Sequence, residues 1–255
     1  MPLHAITRAV SPSINRCELT YHTRSPIDLA KAIKEHKAYE ECLTELGLNV
    51  ISLPAEPELP DSVFVEDAAI VVDEVAVIPN MGAPSRRDET KTLAAALLPY
   101  RPLRYLVEPA TLDGGDLLQV GRRLFVGVTA RTNHVAINQL CEILRPFGYE
   151  VVAVAVRDIL HLKSACSHLG ENTFLVNRAF LDVTPFNECE LIDVPAEEPG
   201  AANVMAVNET VIIAASFPDT AALLAGKGYA VRPVEVSELQ KAEAGVTCCS
   251  VIFRT

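Results

Sequence analysis

"LLQVGRRLFVGVTARTNHVAINQLCEILRPFGYEVVAVAV", residues 117–156, carries three patterns in a fixed order. Residues 117–128 have strand composition broken by a polar turn, which predicts a β-hairpin. "TNHVAINQLCEILRPFG" then sets Val135, Leu140, Ile143 and Phe147 at helical spacing. "EVVAVAV", from Glu150, reads as a closing strand. Hairpin, helix and strand make one ββαβ unit, and the order returns along the chain. Closing strands read "NVISLP" from Asn49, "RYLVEP" from Arg104, "ELIDVP" from Glu190 and "AVRPVEV" from Ala230. Their spacing of about 40 to 55 residues is that of a repeat architecture.

Two further hairpins, "AAIVVDEVAVIP" and "VMAVNETVIIAA", match residues 117–128 in character. The helix in "SPIDLAKAIKEHKAYEECLTELGL" is expected to bury Leu29, Ile33, His36, Leu43 and Leu46, with Ser25 as N-cap, Pro26 at the first helical position and Gly47 as stop. "FPDTAALLAGKG" is a shorter helix, and "GAPSRRDE" is a loop leading into another. "LDVTPFNE" is degenerate and predicts little more than a turn. The first unit is incomplete, beginning with the single strand "HAITRAV", and the last ends with an extra strand, "SVIFR". Pairing of those terminal strands would close a ring and protect its edges. The expected fold is α/β, a five-module ββαβ propeller, with residues 1–255 as one domain.

Composition narrows the function. The 255 residues carry 22 basic and 33 acidic side chains, a net charge of -11, which gives no surface for nucleic acid or anionic membrane and suits a cationic ligand. The N-terminus has no basic stretch followed by an apolar one, and the most apolar candidate for a membrane span is interrupted by Asp73 and Glu74. The cysteines number seven and form no CxxC, which fits a reducing cytoplasm better than a disulfide framework or a structural zinc site.

The segments that follow each closing strand hold the unusual residues. They are "LPDSVFVED" with Asp61, Glu66 and Asp67, "TLDGGD" with Asp113 and Asp116, "LHLKS" with His161, "GAAN", and "AGVTCCS" with Cys248 and Cys249. Equal phase in a propeller means convergence on one end of the axis. A thiol that attacks needs a lowered pKa or a base. A histidine can protonate a leaving group and then activate water. Clustered carboxylates need a cation among them, and a guanidinium would satisfy them by bidentate bonds. The set points to attack on a guanidinium carbon. Each residue alone also has a plainer reading. His161 could be a core histidine, the thiols packing, "GGD" a turn, Glu66 and Asp67 a solvated corner, and Arg86 and Arg131 surface charges rather than a carboxylate grip.

"LPDSVFVED", "GAPSRR", "TLDGGD", "FVGVTARTN", "LHLKS" and "TCCS" occur in this order and at compatible spacing. With them the chain resembles the dimethylarginine dimethylaminohydrolases, guanidino-group-modifying penteins, over nearly its whole length. The resemblance implies that Cys248 is the nucleophile, His161 the general acid/base, and Asp113 the group that orients His161. It implies a guanidinium pocket of Asp61, Glu66 and Asp67 with Phe64 as an apolar wall, and Arg86 and Arg131 on the substrate carboxylate. Leu19, in a lid, and the backbone carbonyl of Ala242 would hold the α-amino end. Ala242 is smaller than the branched residue expected there, a change that a backbone contact survives.

The implied activity is hydrolysis of linear amidines: methylated arginines to L-citrulline and an amine through a Cys S-alkylthiouronium. No cofactor is expected, and zinc only as an inhibitor on Cys248 and His161. Lys163 stands where related deiminases carry an aspartate that grips unmethylated guanidinium; lysine accepts no hydrogen bond. Activity on arginine or another guanidine, a non-catalytic binding propeller, and a thiol or metal sensor stay open. The expected partner is a small molecule, for a cytoplasmic monomer or homodimer. Alternation along a strand would point Cys248 to the axis and Cys249 into packing.

Overall fold

The computed structural model describes residues 2–255 and contains five three-stranded sheets. Four follow one plan: the second hairpin strand lies in the centre, antiparallel to the first and parallel to the closing strand. Thus strand Arg123–Val128 pairs antiparallel with Leu117–Val120 and parallel with Glu150–Ala155. The hairpin at Val207↔Thr210 turns through Asn208 and Glu209, both at positive φ (44° and 68°), the twist a two-residue hairpin favours. In the fifth sheet the central strand is Leu3–Arg8. It runs parallel to Asn49–Leu53 and antiparallel to the C-terminal strand Val251–Arg254. The chain's end therefore supplies the strand that the first unit lacks.

Helices join hairpins to closing strands: α1 (Leu29–Glu45), α2 (Glu89–Leu97), α3 (His134–Leu144) and α4 (Pro218–Gly226). The degenerate segment forms only a 3₁₀ turn, Thr184–Phe186. The start of α1 differs from expectation. Its cap is Asp28, whose carboxylate accepts the Lys31 N–H, and Ser25 and Pro26 lie outside the helix. Asn15 exchanges hydrogen bonds with both the N–H and the C=O of Ile27, which ties that stretch down outside the helix. The buried face runs through Ala32, Glu35, His36, Tyr39, Cys42 and Leu43, while Ile33 is exposed. Val135 on α3 is likewise on the outer side. Among the described residues no helix is long and apolar enough to cross a membrane.

The lead-in turn before each first hairpin strand bonds to the next, round the circle. Glu66 N–H donates to Cys248 C=O at 3.2 Å, Gly115 N–H to Asp67 Oδ1 at 3.0 Å, and Leu162 N–H to Asp116 Oδ1 at 3.0 Å. Asn203 closes the remaining gaps. Its Nδ2 donates to Lys163 C=O at 3.1 Å and its Oδ1 accepts Thr247 N–H at 3.2 Å. Each sheet is thus tied to its neighbours by buried polar groups, which are costly to leave unpaired. These five turns are the segments singled out in the sequence.

Candidate active site

Three 3₁₀ turns and one irregular turn carry the reactive side chains. Val65–Ala68 presents Asp67, Gly114–Asp116 follows Asp113, and His161 precedes Leu162–Ser164. Cys248 and Cys249 sit in a turn before strand Val251–Arg254, not on the strand itself. The two thiols still part company. Cys248 is partly exposed and lines a chamber with His161, whereas Cys249 is buried in a core cluster that includes Tyr39. Tyr39 on α1 hydrogen-bonds Ser250 through their hydroxyls at 2.7 Å, fixing the far end of the cysteine turn.

His161 is buried between carboxylates. Its Nε2 lies 3.3 Å from Asp113 Oδ2 and its Nδ1 3.8 Å from Asp67 Oδ1. Burial disfavours the imidazolium, but Asp67, Asp113 and Asp116 outweigh it and raise His161 to about 9. The imidazole therefore holds a proton at neutral pH. Cys248 is pushed the other way from reactivity. Burial, then Glu66 and Asp67, raise its thiol to about 12, opposed by the Gly245 N–H 3.3 Å from the sulfur and by Lys163. A cation bound beside it would reverse that balance. Gly115 makes room for the imidazole, since a Cβ there would stand 2.6 Å from His161 Nδ1.

The chamber is lined by Asp61, Phe64, Asp67, Arg86, Arg131, His161, Ala242 and Cys248, together with Glu18, Leu160, Glu243 and Ala244. Its free volume is about 20 Å³, enough for one water. A substrate of amino-acid size enters only if the covering segment around Leu19 moves. Leu19 itself packs on the core beside the chamber rather than lining it. Glu18 N–H donates to both oxygens of Asp61, at 3.1 and 3.3 Å, so that carboxylate currently holds the lid. Burial raises the Asp61 pKa against the pull of Arg86.

Two expected placements differ. Glu66 does not line the chamber: Lys163 Nζ at 2.6 Å and Thr247 Oγ1 at 2.7 Å hold its carboxylate toward a separate cavity of about 340 Å³. Arg86 does line it, but most of its donors are engaged. Nε and one terminal nitrogen bind Glu89, and the other binds Asp67 at 2.8 Å. Arg131 is freer, reaching Asp113 Oδ2 at 3.5 Å and Thr20 Oγ1 at 3.3 Å. Asp116 has no role implied by the resemblance. It is fully buried, accepts from Thr129, Thr132 and Leu162 N–H, and is raised by burial to about 6. Asn203 and Thr247 lie in "GAAN" and "TCCS" without a role of their own there, and Glu243 lies outside every such segment.

One oxygen or nitrogen from each of Asp67, Asp113 and His161 falls within 4.8 Å of the others, a spacing that could hold a metal ion. Cys248 is not part of that group, unlike the zinc pair the sequence suggested. The guanidinium groups of Arg86 and Arg131 already bring positive charge to Asp67 and Asp113.

A family model described as N,N dimethylarginine dimethylhydrolase, eukaryotic, matches residues 4–192. The N(G),N(G)-dimethylarginine dimethylaminohydrolase of Pseudomonas aeruginosa is 34% identical over 98% of this chain and 99% of its own. Its Streptomyces coelicolor namesake is 38% identical over 98% and 96%. A solved structure of a cysteine-to-serine variant of the Pseudomonas protein with citrulline matches at a TM-score of 0.93 and 33% identity, covering 98% of each chain. A histidine-to-glycine variant of a dimethylarginine dimethylaminohydrolase, as an adduct with S-methyl-L-thiocitrulline, matches at 0.94 and 34% identity over 99% and 100%. The N-terminal domain of a cyanobacterial arginine dihydrolase shares the fold at 19% identity and a TM-score of 0.88. The chain belongs to the dimethylarginine dimethylaminohydrolase family, within the pentein fold.

Proposed function

We propose that the protein hydrolyses Nω-methylated arginines, asymmetric dimethylarginine and monomethylarginine, to L-citrulline and dimethylamine or methylamine. The observation that carries this is one chamber lined by Cys248 and by His161, whose two ring nitrogens face Asp113 and Asp67. A protonated histidine is an acid ready for a leaving amine. A neutral thiol waits for a cation that favours its ionised form.

The substrate guanidinium enters beside Asp67, with Phe64 as an apolar wall. Its charge lowers the Cys248 pKa, and the thiol proton leaves to solvent. The thiolate adds to the guanidinium carbon. The C–N bond to the methylated nitrogen breaks as His161 gives that nitrogen its proton, leaving a cationic S-alkylthiouronium and a neutral imidazole. His161 then takes a proton from water, and the hydroxide adds to the same carbon. The C–S bond breaks, the hydroxyl proton returns with the sulfur as thiol, and citrulline forms. Asp113 orients and charges His161 throughout. Arg131, with the free edge of Arg86, receives the substrate carboxylate, and Leu19 and the Ala242 carbonyl hold the α-amino group.

The likeness to the Pseudomonas and Streptomyces dimethylarginine dimethylaminohydrolases, and the citrulline bound in the Pseudomonas structure, support the substrate and product. Lys163 stands where related deiminases carry an aspartate and pairs with Glu66 at the separate cavity, so that position gives the chamber no acceptor for an unmethylated nitrogen, which supports an alkylated guanidine over arginine. The same reading takes residues 1–255 as one catalytic unit acting in the cytoplasm as a monomer or homodimer, with no nucleic-acid or membrane partner. Exchange of the two thiols tests the assignment. Cys248→Ser is expected to abolish citrulline formation while substrate still binds, and Cys249→Ser to retain turnover; the reverse result contradicts it.

A further inference from the structure

We propose that Glu243 is the latch that seats the lid, residues 18–24, over the reaction chamber, and so a positioning residue for the amino-acid end of the substrate. The inference rests on the methylarginine reading above. The Glu243 carboxylate accepts three successive backbone N–H groups of the lid. Thr20 N–H donates to both oxygens at 2.9 and 3.1 Å, and Tyr21 and His22 N–H donate to Oε1. Consecutive amides converging on one anion form a binding concavity, and bonds to an ionised acceptor are the stronger kind.

Three features turn this contact into a latch. Glu243 lines the chamber and directly follows Ala242, whose carbonyl is assigned to the α-amino group. One turn thus receives the substrate end and the lid that covers it. Leu19 lies between the Asp61-held amide of Glu18 and the Glu243-held amides of Thr20 to His22, so its carbonyl is set from both sides. The backbone of Glu243 is at φ 61°, a left-handed conformation that a residue with a Cβ adopts at a cost, as happens where surrounding contacts over-determine it. The lid's return is fixed separately, by Arg24 donating to Asn15 C=O and Cys17 C=O. Loss of Glu243 therefore releases the backbone of the lid's tip, where only the Arg131 contact to the Thr20 hydroxyl is left, and keeps its base anchored.

The test compares Glu243→Gly, which suits the left-handed backbone, with Glu243→Ala and Glu243→Gln in the full chain. Amide hydrogen exchange at residues 20–22 is expected to accelerate in the Gly and Ala variants, with partial protection retained by Gln. KM for asymmetric dimethylarginine is expected to rise about 10- to 100-fold, as for loss of bonds to a charged acceptor, with kcat unchanged or raised where lid opening limits release. Unchanged exchange at residues 20–22 overturns the latch. Faster exchange with an unchanged KM overturns the positioning role, and a fall in kcat and thermal stability together without a KM change marks Glu243 as structural only. If the unmodified protein leaves methylarginines untouched, the functional reading fails, while the exchange data still decide the latch.

Discussion

Asp113→Asn isolates the charge that keeps His161 an acid. Asp113 is wholly buried; its Oδ1 accepts Gly82 N–H at 2.8 Å and its Oδ2 faces His161 Nε2 at 3.3 Å. Asparagine keeps the shape and the acceptor toward Gly82, removes the charge, and turns an amide NH2 toward His161 and Arg131 where the carboxylate oxygen accepted. His161 stands at about 9 against an ordinary 6.5, and Asp113 is one of three carboxylates that hold it there. Losing it is expected to lower the His161 pKa by about one unit, on the order of 1 kcal/mol. The linkage has a definite sign. A histidine raised in the folded state contributes stability below pH 6.5 that disappears as pH climbs to about 9. The full contribution in the parent protein is of order 3 kcal/mol. In Asp113→Asn the window should close nearer pH 8, about one unit lower. Ring-nitrogen NMR of His161 reads the pKa directly, and denaturant unfolding on either side of the window reads the linkage. Amine release should also slow above the new pKa, where the acid form is depleted. A His161 pKa that stays put or rises would refute the reasoning.

Gly115→Ala should cut turnover by at least about 100-fold, because the new Cβ would crowd both His161 Nδ1 at 2.6 Å and Asp67 Oδ1 at 2.7 Å, and misplacement of that order is costly. A steady-state assay beside a melting curve checks it, and near-normal kcat would contradict the packing argument. Asp116→Ala should destabilise the fold by about 2 to 4 kcal/mol, since the buried Thr132 hydroxyl, the half-buried Thr129 hydroxyl and the Leu162 N–H lose their acceptor. Urea unfolding measures that, and a change within about 0.5 kcal/mol would remove Asp116 from the ring of interlocking turns.

The architecture was legible because strand alternation is a local signal. The strands at Asn49, Glu150, Glu190 and Ala230 begin where the sequence placed them, and the remaining closing strand begins at Leu103, one residue early. Shared phase also brought Asp67, Asp113, His161 and Cys248 together. What escaped was set by partners far away in the chain. Ser25 and Pro26 look like a helix start, yet Asn15 ties the next residue down outside the helix. Glu66 looks like its neighbour Asp67, yet Lys163 and Thr247 turn it to the other cavity. Arg86 looks free until Glu89 and Asp67 occupy its fork. Glu243 has no motif, and its partners lie more than two hundred residues earlier. Local pattern places a backbone turn; the direction of a charged side chain on it depends on the rest of the ring.

The most direct measurement offers the purified protein asymmetric dimethylarginine, monomethylarginine and unmethylated arginine, and quantifies both products. L-Citrulline with equimolar dimethylamine or methylamine from the methylated substrates, at a kcat/KM well above that for arginine, is the expected result. Preferential release of ammonia from arginine, or no citrulline from any of the three, would contradict the assignment.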